Sequence, residues 1–228
     1  MKGTMNLQEI IEPIGAELEA FNRYFRGAMR SKVAFVDLIA RYIVRQKGKK
    51  IRPALVLLSA KACGEITDST YRGASLVEIL HTATLIHDDV VDDADTRRGL
   101  ASINAVWKNK IAVLMGDYML AKGLLLSLDN NDFQFLKITS DAVRRMSEAE
   151  ILQIAKSRDL DIDEETYLRI ISDKTASLLS TCCQIGVASV TADPETIRLL
   201  RQFGENIGMV FQIRDDLLDY TGRKSITG

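Results

Sequence analysis

Two stretches of this chain carry three aspartates at the same spacing inside otherwise apolar, helix-patterned sequence, and few folds can accommodate both. They are Leu85-Ile86-His87-Asp88-Asp89-Val90-Val91-Asp92 and Gln212-Ile213-Arg214-Asp215-Asp216-Leu217-Leu218-Asp219. Residues three and four apart are neighbours on a helix, so each DDxxD string is expected to set its carboxylates on adjoining edges of one face. Around the first string, residues 76–91 are apolar nearly all round, the pattern of a buried helix, and residues 203–220 read likewise. Unpaired carboxylates within a core are costly, so two such interior helices imply a wet cavity or bound cations. Oxygen-only ligands suit a hard cation such as Mg²⁺, which takes one or two carboxylates and fills its remaining positions with water and phosphate oxygens.

The rest of the chain is patterned for helices alone. Apolar residues recur at helical spacing, strand-type alternation is missing, and there are only three prolines, Pro13, Pro53 and Pro194. The expected fold is all-α, a bundle of mostly antiparallel helices around a central cavity. Helices are expected over about residues 6–28, 32–46, 52–63, 68–93, 102–108, 110–129, 132–157, 164–190 and 194–220. Pro53 suits a first turn, Gly64 a C-terminal stop, Asp163 an N-cap, and Asp193-Pro194 a cap followed by a first-turn proline. No linker composition interrupts the chain, so residues 1–228 are read as one domain.

Composition narrows the class further. With 46% apolar residues, 27% charged residues and a formal charge of -1, the chain is neither a basic nucleic-acid binder nor a disordered tail. Cys63, Cys182 and Cys183 have no metal-ligand spacing and read as free thiols of a reducing compartment, which favours the cytoplasm. The N-terminus lacks a signal-type apolar segment and no apolar run reaches about 18 residues, so no transmembrane segment is expected.

Further motifs accompany the acidic strings: Gly48-Lys49-Lys50-Ile51-Arg52-Pro53, His81, the run HDDVVDDADTRRG from His87 to Gly99, Lys174-Thr175, and GMVFQIRDDLLDYTG from Gly208 to Gly222. Together, in this order and separation, they resemble the trans-polyprenyl diphosphate synthases. The resemblance extends from about Lys49 to the last residue. It implies an all-helical prenyltransferase of isoprenoid-synthase type that joins isopentenyl diphosphate to an allylic diphosphate using Mg²⁺, with up to about three ions bound alongside the allylic diphosphate. By resemblance, Asp88, Asp92 and Asp215 are direct magnesium ligands and Asp219 joins the metal set, with Asp89 and Asp216 in support. Lys174 and Thr175 match the position that holds the allylic diphosphate, and Gln212 matches a substrate-side glutamine.

Arg97 and Arg98 are consecutive, so their side chains diverge and suit one diphosphate each. The resemblance gives Arg97 to the allylic diphosphate and Arg98 to isopentenyl diphosphate, the latter also held by Lys49 and Arg52 near a helix N-terminus that favours anions. His81 lies two helical turns before Asp88 and can donate to a diphosphate oxygen, while His87 is expected to orient a carboxylate. Product length is expected to follow the depth of an apolar tunnel below Asp88. Ala83 and Thr84, where short-chain relatives place aromatic side chains, and Leu80 leave that tunnel without an aromatic plug, which favours about seven to nine isoprene units at roughly one unit per helical turn.

Members of this family usually continue beyond this length through a GKP-type loop and further helices, so the chain reads as C-terminally incomplete and of reduced activity by itself. The family is commonly homodimeric, and the apolar surplus over residues 110–129 suits an interface. Competing readings are a short-chain synthase of the same chemistry, a terpene cyclase, and a non-catalytic subunit of a heteromeric synthase.

Overall fold

The computed structural model describes residues 6–46, 48–159 and 162–221, and these are helical almost throughout. The order is α1 (Leu7–Ile11), a 3₁₀ turn (Glu12–Ile14), α2 (Gly15–Ala28), α3 (Ala34–Arg45), α4 (Ile51–Cys63), α5 (Asp68–Val91), α6 (Ile103–Leu128), α7 (Phe133–Asp159), α8 (Glu164–Ile171), a π-helical turn (Ser172–Ala176), α9 (Ser177–Ala188) and α10 (Pro194–Tyr220). Two two-residue strands, Thr96–Arg97 and Leu100–Ala101, form an antiparallel clip in the polar loop after α5. The fold is all-α, as the pattern demands.

Capping chemistry sets several boundaries. Asp163 accepts from the Thr166 amide at 2.7 Å and Asp193 from the Thr196 amide at 2.9 Å, each satisfying a first-turn N–H that the helix leaves unpaired. Pro194 occupies the first turn of α10. The break expected between residues 108 and 110 survives as a kink, where Lys108 at φ 71° and ψ 160° interrupts α6. The expected helix over residues 164–190 instead divides around the π turn. The loop expected after Asp219 lies outside the described residues beyond Thr221.

Helix α5 is the axis of the bundle. One side packs with α4, α7 and α9 in a cluster that includes Val56, Leu57, Leu76, Val77, Phe135, Cys182 and Ile185. The other packs with α3 and α6 through Ile39, Ile43, Ile79, Ala83, Ile86, Met115 and Met119. This two-sided burial explains the all-round apolar sequence. Cys182 and Cys183 are buried, and all three cysteines are free thiols. Helix α6 has the length and composition of a membrane-crossing helix, a test that core helices also pass; one third of its most apolar window is buried, and Leu114, Leu124, Leu125 and Leu128 are exposed.

Helix α10 comes very close to the π turn and α9. A Cβ at Gly208 would lie 2.4 Å from Ala176 Cα, and one at Gly204 would lie 2.7 Å from the Leu179 carbonyl oxygen. Gly204, Gly208, Gln212 and Asp216 succeed one another at intervals of four, so the glycine face continues directly into the polar one. Replacing Gly208 by Val is expected to force α10 outward and destabilise the fold by about 1–3 kcal/mol. Urea unfolding measures this, and an unchanged midpoint would show that the contact is not tight.

Candidate active site

The six aspartates fall into two groups. Asp89 and Asp216, the second acid of each string, are held by neighbours. Asp89 is 2% exposed and accepts from Arg97 Nε at 2.8 Å. Asp216 accepts from Tyr167 Oη at 2.6 Å and from Gln212 Nε2 at 2.8 Å. Asp88, Asp92, Asp215 and Asp219 are exposed, and their carboxylates have no hydrogen-bond or ion-pair partner among the described residues. Each string thus presents a free i, i+4 pair, while its middle acid turns aside; the expectation that all three acids of the first string share one face is corrected by the burial of Asp89.

The π turn lies between the two strings. Lys174 Nζ donates to Gln153 Oε1 at 2.9 Å, pairs with Glu150 at 2.7 Å, and lies close enough to Asp88 to act on its charge. The next residue points the other way: Thr175 Oγ1 donates to Gln212 Oε1 at 2.8 Å, and Gln212 passes the chain on to Asp216. Just before them, Asp173 is held by Arg145 at 2.6 Å, and Arg145 also binds Glu205 of α10 at 2.9 Å. A π turn widens the helix locally, and such turns recur at functional sites. Here it lets consecutive side chains serve opposite walls.

Burial, then Glu150 and Asp92, hold the Asp88 carboxyl above the ordinary range, and Lys174 and Arg97 oppose the shift. The Tyr167 phenol is pushed up to about 12 by its hydrogen bond to Asp216. Among the described residues no three metal-ligating side chains are gathered into a ready-made cage. Free, oxygen-only carboxylates of this kind fit a hard cation that completes its shell with substrate oxygens.

A cationic cluster sits two turns back along α5. His81 is buried, and burial with Arg52, Arg98 and Arg97 lowers its pKa to about 2, so its ring is neutral. His81 Nδ1, Arg52 Nε and Glu78 Oε2 are buried without hydrogen-bond partners. Arg98, at φ 52°, lies against Gly48, where a Cβ would meet its guanidinium at 2.8 Å. Lys49 is exposed; Lys50, at φ 51°, bonds Asn22 of α2. Arg97 is occupied by Asp89 rather than free for an anion, and His87 approaches Asp117 of α6 at 3.4 Å rather than either acidic string.

Leu80 and Thr84 line a nearly closed crevice with Val143, Met146, Leu178 and Thr181. Ala83 does not: it is fully buried on the α6 side of α5, and this corrects its expected place in the tunnel. Phe135 of α7 belongs to the same buried cluster as Leu76, Val77 and Leu80 and lies 3.2 Å from the Cβ position of Gly73. Sequence reading also missed Glu78, Glu150, Gln153 and Tyr167. The i, i+3 spacing of Glu150 and Gln153 was the available signal, but nothing in it pointed to Lys174.

These features define an all-helical protein in which two acidic helix ends flank a π turn, with a basic cluster around the buried His81 two turns back along α5. The sequence matches the family Polyprenyl synthetase over residues 33–228, and the chain belongs to that family of prenyltransferases. It is 38% identical over 222 residues to the all-trans-nonaprenyl-diphosphate synthase (geranyl-diphosphate specific) of Rhodobacter capsulatus, spanning 97% of this chain and 68% of that protein. It is 37% identical over 216 residues to the octaprenyl diphosphate synthase of Escherichia coli (strain K12), spanning 95% and 67%. The polyprenyl synthase of Caulobacter crescentus CB15, solved with calcium and isoprenyl diphosphate, superposes with a TM-score of 0.89 at 33% identity, over 97% of this chain and 67% of that one. The chain thus spans about two thirds of these relatives' length, and relatives of this kind are long-chain trans-prenyl diphosphate synthases.

Because the Asp88 pKa is raised, its charge opposes folding: the penalty is absent below the unfolded carboxyl pKa and develops as pH rises through the folded one. Asp88→Asn is therefore expected to stabilise the metal-free protein at pH 7 by roughly 0.3 kcal/mol, a small gain because the group meets solvent, with no gain below about pH 4. Urea midpoints at the two pH values test it; a less stable variant at pH 7 would contradict the sign.

Proposed function

We propose that the chain condenses isopentenyl diphosphate with an allylic diphosphate to give a long all-trans polyprenyl diphosphate of about seven to nine isoprene units. The observation that carries this reading is the pairing of two free aspartate pairs across the π turn with a separate basic cluster around the buried His81, two groups of different chemistry on one bundle. Asp88, Asp92, Asp215 and Asp219 hold Mg²⁺ together with the allylic diphosphate. The metal supplies Lewis-acid stabilisation of the charge that grows on the departing diphosphate. Lys174, steadied by Glu150 and Gln153, and Thr175, steadied by Gln212, hold that diphosphate in line. Asp216 fixes Gln212, and Asp89 fixes Arg97 at the edge of the site; Arg97 reaches the allylic diphosphate only by leaving that carboxylate.

Isopentenyl diphosphate is held by Lys49, Arg52, His81 and Arg98. The unbonded His81 Nδ1 and Arg52 Nε leave hydrogen-bonding capacity for it. The allylic carbon–oxygen bond breaks to leave an allylic cation and diphosphate, the isopentenyl double bond attacks that cation, and the proton lost from the new chain goes to the departed diphosphate. A neutral, buried His81 is a hydrogen-bond partner here and takes no part in that transfer. The apolar walls of α5, α7 and α9 keep water from the allylic cation.

The chain grows into the crevice beside Thr84 and Leu80, toward Phe135. Incubation with labelled isopentenyl diphosphate, allylic primers and Mg²⁺ should yield a chain-length ladder that EDTA abolishes. Thr84→Phe is expected to shorten the product and Phe135→Ala to lengthen it, whereas Ala83→Phe should mainly destabilise the contact with α6. Absence of isopentenyl incorporation would defeat the synthase reading, and an unaltered ladder in both crevice variants would defeat the tunnel assignment.

A second copy of the chain packs on the exposed apolar face of α6, whose leucines are otherwise open to water. Sedimentation should show a dimer that Leu114→Lys with Leu125→Lys converts to monomer; a dimer surviving both changes would place the interface elsewhere. Free buried thiols support a reducing, cytoplasmic setting.

A further inference from the structure

A cavity of about 860 Å³ lies neither below Asp88 nor between the two acidic strings. It opens between α2, α3 and α5 and meets α5 at Glu78, Thr82, Leu85, Ile86 and Asp89, a face about a quarter turn round the helix from Asp88. Its volume is that of a small-molecule site. The floor is apolar: Phe25 from α2 and Met29 just after it, Ile43 and Val44 from α3, and Leu85 and Ile86 from α5.

The rim is cationic. Eight lysines and arginines line the cavity against three acids, and two of those acids are already engaged, Asp37 by Arg41 and Asp89 by Arg97. The side chains of Arg23, Arg30 and Arg45 make no hydrogen bond or ion pair among the described residues. Arg23 and Arg45 come from the N-terminal part of the α2 lining and the C-terminal end of α3, the same end at which Lys50 bonds Asn22 and Arg98 lies against Gly48. A concentrated positive mouth above a long apolar floor suits a molecule with a multiply charged anionic head and a hydrocarbon tail.

We propose that this cavity is a second, metal-independent site for a prenyl diphosphate, with Arg23, Arg45, Lys50 and Arg98 taking the diphosphate and the α2–α3–α5 floor taking the chain. Resting on the reading of Arg98 as an isopentenyl diphosphate ligand, it follows that occupancy shuts out isopentenyl diphosphate, so that accumulated product slows its own synthesis. No carboxylate of either aspartate string is needed for this binding except Asp89, which serves only to hold Arg97.

The protein carries its own reporter. Its single tryptophan, Trp107, stacks edge-on against Tyr42 of α3 with ring centres 5.1 Å apart. Farnesyl diphosphate added in EDTA, where metal-held diphosphate cannot form, should change Trp107 emission saturably. Arg23→Glu combined with Arg45→Glu, both at exposed positions, should weaken that binding at least about tenfold while the melting curve by circular dichroism stays unchanged. Palmitate and farnesol, which lack the diphosphate, should not compete. In turnover, added long-chain product should inhibit wild type competitively with isopentenyl diphosphate, and the double variant should escape this with kcat unaltered. No binding in EDTA, binding that survives the double variant, or equal competition by palmitate would each overturn the proposal. Binding in EDTA without any isopentenyl incorporation would sink the synthase reading and leave the cavity site standing.

Discussion

The contact on which the site depends is the approach of α10 to the π turn, close enough that a single methyl group at Gly208 would collide with the backbone of Ala176. That closeness brings Gln212, one turn further along the same face, within hydrogen-bonding distance of Thr175, and one more turn brings Asp216 to Gln212 and Tyr167. Small residues at a helix crossing act here as a positioning device. The glycines contribute no side chain to the site, yet they set the height at which the second acidic string stands above its neighbours. Arg145, which grips Asp173 and Glu205 at once, reinforces the crossing from the side.

Each acidic string divides its labour. The middle acid turns toward the protein and is held by named partners, Asp89 by the Arg97 guanidinium and Asp216 by the Tyr167 phenol and the Gln212 amide, while the flanking acids remain at the solvent edge without one. The division follows from helix geometry, since adjacent residues are about 100° apart and cannot share a direction. A buried carboxylate needs a partner and an exposed one does not. The strings therefore supply both a held carboxylate and unpaired carboxylate oxygens from five residues each.

Much of this was legible in the residues themselves. The Asp163 and Asp193 caps, the first-turn Pro194 and the break near Lys108 were readable because each rests on local backbone chemistry. The all-round apolar character of residues 76–91 announced a helix buried on both sides. What escaped reading depends on rotation and on distant partners. The π turn shifts the helical phase without any glycine or proline to mark it. The assignment of Ala83 to one side of α5 and Thr84 to the other turns on which neighbour, α6 or α7, packs there. The capture of Arg97 by Asp89 arises from a two-strand clip whose shape local pattern does not encode. Phe135 lies on a different helix from the residues it faces.

The π turn carries a constraint on the length of the polypeptide. One residue beyond the α-helical count would turn everything downstream by about 100° in an unbroken α-helix, and the wider π turn takes up that residue locally, so α8 and α9 keep their own faces. Removing a single residue between 172 and 176 would close the turn to the α-helical count and leave the docking of α9 on Gly204 and Gly208 in phase. What it would withdraw is the local widening that sends Lys174 and Thr175 to different partners.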